Sequence, residues 1–152
     1  MRAQLSRVFR TNSSAFDEAG EFVLDTDEKW CAFWDKAYTD FQNKPPCQGL
    51  GVDFSHETVV AVSLGEHNGC YGIEIDHIHS TDEEGVYVLV VSELERSTDC
   101  RCEEALAHPV DAVKIEGAVT GVFIERSVKQ VPCNWGKSPL ERRSRRRRGA
   151  LF

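Results

Sequence analysis

Between residues 52 and 94 the apolar positions fall into three short runs parted by glycine-bearing turns. Val59, Val60, Val62 and Leu64 make the first, bounded by Ser55-His56-Glu57 and by Gly65. Short, β-branched and turn-bounded, it reads as a strand. In the second run Tyr71, Ile73 and Ile75 alternate with Gly72, Glu74 and Asp76, the period of a half-buried antiparallel strand. The third, residues 86–91, is apolar on both faces, which predicts a place in the middle of the sheet with both surfaces covered. The three runs are expected to follow one another as antiparallel neighbours in a meander.

The pattern changes period only once. Trp30, Phe33, Trp34, Ala37 and Phe41 recur at helical spacing, giving an aromatic stripe suited to lie on the sheet. Asp25 or Thr26 supplies an N-cap, Asp27 and Glu28 put negative charge in the first turn, and Pro45-Pro46 closes the helix. Further strands are predicted over residues 20–24, 112–116 and 118–125, with Gly117 as the turn between the last two. The fold class that follows is α+β: an antiparallel β-meander sheet of five or six strands with one amphipathic helix packed on it. Residues 1–19 read as an irregular N-terminal segment, 20–135 as a single α+β domain and 136–152 as an Arg-rich flexible tail.

Charge divides the chain. The net of -7 conceals six arginines within residues 141–148, while residues 1–140 hold 12 basic against 24 acidic side chains, a net of -12. An acidic body repels phosphate and anionic lipid, so neither nucleic acid nor membrane is expected as its partner. The tail reads either as a solvated run or as an electrostatic handle, one that can also fold back on the body. No run approaches the roughly 18 apolar residues of a membrane span, and residues 1–16 lack the apolar centre of a signal peptide. The six cysteines point the other way, towards an oxidising compartment.

In order along the chain, Trp30-x-x-Phe33-Trp34, Val52-Asp53-Phe54-Ser55, Val59-Val60-Ala61-Val62, Gly65, Gly69-Cys70-Tyr71-Gly72-Ile73-Glu74-Ile75 and His108-Pro109-Val110 resemble the C-terminal domain of the PrcB family, accessory subunits of bacterial surface protease complexes. The resemblance runs from about residue 25 to residue 125, with Cys70 in place of the family's second Gly. It implies a non-catalytic role, stabilising or maturing a protease, with a protein as partner and export as the setting. It carries no catalytic residue to this chain.

The residues themselves offer several chemistries. Asp53 can cap the turn at a strand entry while Phe54 plugs the core; as a general base it has no nucleophile nearby. The loop 65–69, a hairpin turn by its glycines, can also touch a partner, and with the strand after it supplies the partner-binding candidates His67, Tyr71, Glu74 and Asp76. Cys100, Cys102 and His108, with Cys70 or Cys133, are metal candidates, although a one-residue spacer is below the usual zinc spacing. Alternatively the cysteines pair, Cys100 or Cys102 with Cys70 or Cys133 and Cys31 with Cys47, or stay reduced; six cysteines allow 15 pairings. His77 and His79 share one side of a strand and can hold a metal or simply line a wet face. A metal- or thiol-dependent enzyme, using Cys70 with His67 or His56, is the alternative function. No Gly-rich phosphate loop or other cofactor motif is present, and no cofactor is expected.

Overall fold

The computed structural model describes residues 2–97, 99–102 and 106–135; the Arg-rich run at 142–148 lies outside them. Among these residues eight strands and one α-helix follow in the order β1 (Arg2–Ala3), β2 (Leu5–Thr11), β3 (Ala19–Leu24), α1 (Asp27–Ala37), β4 (Glu57–Leu64), β5 (Tyr71–Ser80), β6 (Val86–Arg96), β7 (Val110–Glu116) and β8 (Gly121–Val131). The fold is α+β, mostly antiparallel, with one helix. The single sheet of five or six strands gives way to two four-stranded sheets, β1-β5-β6-β8 and β2-β7-β4-β3.

The two sheets correct the expected meander. β5 and β6 form the predicted antiparallel hairpin, but β4 leaves them to pair with β3 and β7. The physical reason is layering. Thr58 through Leu64 are all buried, because Val60, Val62 and Leu64 face the other sheet while Val59 and Ala61 face the helix. A strand apolar on both faces belongs to the inner layer, whereas β5, with one wet face, belongs to the outer one. The loop from Gly65 to Cys70 therefore crosses between sheets rather than turning a hairpin. Likewise β7 and β8 do not pair across Gly117. β7 lies between β2 and β4, and β8 runs parallel to β6 along its full length.

Residues 1–19, expected to be irregular, contribute two strands. β1 pairs with β5 in one sheet and β2 with β7 in the other, with Gln4 between them. One nearly continuous N-terminal strand thus joins the two sheets along one side.

The helix starts as expected: the Thr26 side chain accepts from the Lys29 backbone N–H, satisfying one of the free donors of the first turn. Trp30, Phe33, Trp34 and Ala37 are buried on the outer face of the β2-β7-β4-β3 sheet. Phe41 departs from the stripe and is 76% exposed, because the helix ends at Ala37. The Asp40 carboxylate accepts from the Gln42 backbone and the Asn43 side chain, a local turn that competes with helix continuation. The Pro45-Pro46-Cys47 segment folds back over the helix, receiving the Trp34 indole N–H at the Pro45 carbonyl and that of Trp30 at the Cys47 carbonyl, both at 3.0 Å.

All six cysteines are in disulfides: Cys31–Cys47, Cys70–Cys102 and Cys100–Cys133. The first fastens the Pro-rich segment to α1. The other two bind the 99–102 loop and the segment after β8 to the start of β5.

Candidate functional site

Across the molecule the layers follow in the order α1, the β2-β7-β4-β3 sheet and the β1-β5-β6-β8 sheet. Ile73, Ile75, Ile78, Leu89 and Val91 point into the core between the sheets, packed with Val60, Val62, Val113 and Ile115. Residues of opposite parity along β6 and β8 then face outwards, and among the described residues no helix or strand covers them. This is where β6 departs from expectation: Val88 and Val90 are only partly buried. Register places His79, Val88 and Phe123 in one row across the three strands, and His77, Val90 and Glu125 in the next. Phe123 is 66% exposed. The His77 and His79 rings meet edge to face at 4.6 Å, so they do share one side as the sequence implies. Burial pushes the His77 imidazole below its ordinary value, and the Arg2 charge adds to that.

Further along the same face the covering changes. Trp135, tied in place through the Cys100–Cys133 disulfide, lies against Gly72, where an added Cβ would come within 3.3 Å of the indole. Its backbone carbonyl accepts from Arg96, and the Arg10 guanidinium stacks on its ring at 4.7 Å. Leu94 is fully buried beneath this cap and Ser92 nearly so. The outer face is therefore half closed by Trp135 and half open at His77, His79, Val88, Val90 and Phe123. Among the described residues β8, of 11 residues with no proline, is an edge strand paired on one side only.

The partner-binding candidates do not form one cluster. Glu74 and Asp76 are on the outward side of β5, beside the open patch, where Glu74 meets Arg10 at 3.6 Å and Asp76 accepts from the Ser92 hydroxyl. Tyr71 instead packs towards the core. Its ring lies 4.9 Å from that of His67, whose backbone bridges to Ala107. The metal candidates are also separated: Cys100 and Cys102 are consumed by disulfides with Cys133 and Cys70, and His108 lies instead against Asp17 and Glu66. Cys70, bonded to Cys102, offers no thiolate to His67 or His56.

Asp53 caps its turn as predicted. Its carboxylate accepts from the Ser55 N–H and hydroxyl and contacts the His56 Nδ1 at 3.0 Å, which holds its carboxyl below the usual range. The Ser55 hydroxyl meets that same ring nitrogen at 2.7 Å. A relay needs serine and carboxylate on opposite nitrogens of the imidazole, so this trio is a turn rather than a catalytic triad.

No known protein family, curated protein or solved structure matches the chain.

Proposed function

We propose that this chain is a non-catalytic protein-binding domain, of the accessory kind that the PrcB resemblance implies, and that it docks its partner on the open face of the β1-β5-β6-β8 sheet. The observation that carries this reading is the uncovered patch at Val88, Val90 and Phe123. An apolar sheet face costs free energy in water, roughly 25 cal/mol for each Å² of apolar surface that stays wet, and exposed apolar patches rimmed by polar groups mark interaction sites. Glu74, Asp76 and Glu125 border the patch, and the β5–β6 turn adds Asp82, Glu83 and Glu84. The fitting partner is a protein surface with an apolar centre and a basic rim, a protease subunit on the family's pattern.

Phe123→Asp tests this directly, because a side chain so exposed is replaced without disturbing the core. In pull-downs from the source cell, wild type is expected to capture a specific protein that Phe123→Asp fails to capture, and capture is expected to weaken as salt is raised, since exposed charges are screened over about 10 Å at 0.1 M. Equal capture by both proteins, or capture insensitive to salt, would dispose of this docking face.

A further inference from the structure

Beyond the end of β4 three loop segments converge. The linker from β2 to β3 brings Asp17, the loop after β4 brings Glu66, and the segment before β7 brings His108. Backbone hydrogen bonds lock the three together: the Glu66 N–H donates to the Asp17 carbonyl at 3.2 Å, the His108 N–H to Asn12 at 2.7 Å, and the Ser14 N–H and hydroxyl both donate to the His108 carbonyl. Gly65 sits at φ +81° so close to this linker that an added Cβ would lie 2.9 Å from the Ala19 nitrogen. The main chain thus brings the three residues together, and their side chains converge from there.

The geometry points to a divalent-cation site formed by Asp17, Glu66 and His108, with Zn²⁺ as the best-fitting ion. His108 Nε2 lies 3.2 Å from Asp17 Oδ1 and 3.4 Å from Glu66 Oε1, and all three donor atoms lie within 4.8 Å of one another. Metal–ligand bonds of 2.0–2.2 Å arranged tetrahedrally separate neighbouring ligand atoms by about 3.4 Å. The two distances to histidine match that edge, and both exceed the 2.7–2.9 Å usual for a charge-assisted hydrogen bond. Charge argues the same way. Two carboxylates converge on one ring nitrogen, which has at most one proton to offer, and among the described residues no lysine or arginine pairs with either. A divalent cation neutralises both at once. Imidazole among the donors favours zinc over calcium and magnesium, which prefer oxygen alone. The His108 side chain is 19% exposed while Asp17 and Glu66 reach the surface, so the ion keeps an open fourth position for water or for a group from a partner. Bound there, it clips the loop that crosses between the sheets to the linkers on either side.

Titration calorimetry of the full chain with Zn²⁺ alone tests the site. One ion per chain is expected, with Asp17→Asn and Glu66→Gln each weakening binding at least about tenfold and His108→Ala abolishing it. The melting temperature of wild type is expected to rise with Zn²⁺, and that of Asp17→Asn to rise less at the same Zn²⁺ concentration. Asp17 is 80% exposed, so its variant folds and keeps the test valid. The double variant His77→Gln/His79→Gln is expected to bind as wild type does. Absence of stoichiometric binding, unchanged affinity in Asp17→Asn, or loss of the ion in the His77/His79 variant would each overturn the assignment.

Discussion

Arg7 and Asp111 are bound by two parallel hydrogen bonds of 2.8 Å across 104 residues of sequence, and together they grip the backbone of Ile75. β1 pairs only with Ile78 and His79 of β5. Further along that edge the Ile75 N–H donates to Asp111 and the Ile75 carbonyl accepts from Arg7, so the ion pair stands in for a strand and joins the two sheets. The Asp111 side chain is fully buried. Removing one partner of a buried pair leaves the other uncompensated, so Asp111→Ala is expected to cost about 3–5 kcal/mol. Arg7→Ala should cost less, because Arg7 is one-third exposed and water shares its charge. Urea denaturation of both variants checks the order and the size.

Trp34 is 2% exposed and makes an edge contact with Phe9 at 4.8 Å besides its bond to Pro45. Trp34→Ala is expected to lose about 3–5 kcal/mol through transfer energy and the cavity left behind. A loss below about 1 kcal/mol, read from the shift in denaturation midpoint, would contradict its place between helix and sheet.

Peptide mapping without reduction is expected to recover the pairs Cys31–Cys47, Cys70–Cys102 and Cys100–Cys133. Replacing Cys31 and Cys47 together by Ser reopens a loop of separation 16 and is expected to cost about 3 kcal/mol in the chain-entropy account. Recovery of any other pairing refutes the arrangement around β5.

Burial and the Arg2 charge disfavour the charged form of His77 and push its imidazole below the ordinary value in the folded protein. The unfolded chain then binds the proton more readily than the native one between the two values. Stability from this group is full above the unfolded value and is lost as pH falls through the folded one. NMR titration of the imidazole is expected to give a midpoint below that of a free histidine, and His77→Gln is expected to flatten the acid limb of the stability curve.

How much of this was legible depends on the element. The helix, its Thr26 cap and the β5–β6 hairpin were readable, because each is specified by residues near one another in sequence. The layering was harder. Both residues 59–64 and 86–91 are apolar on two faces, yet one is sandwiched between helix and sheet while the other leaves Val88 and Val90 at the surface. Composition cannot tell a covered face from one awaiting cover. β1 and β2 were missed because Leu5, Val8 and Phe9 alternate poorly: the bulge between Arg7 and Phe9 breaks the period of two. His108 lies beside Asp17 and Glu66 rather than beside Cys100 and Cys102. Its neighbours Asp17 and Glu66 are brought from distant loops by backbone bonds, and nothing in their spacing announces it. The disulfides were among the pairings the sequence allowed, but choosing them needed the sheet.

The N-terminal strand that joins the two sheets also sets a timetable. Leu5 pairs with Ile115 and Thr11 with Val110, while β6 waits for β8 as its parallel neighbour. Synthesis exposes β2 well before β7 exists to receive it, so the earlier strand waits for the later one. Such non-local pairing slows folding, and it leaves newly made protein with an unclaimed strand until residues 110–116 emerge.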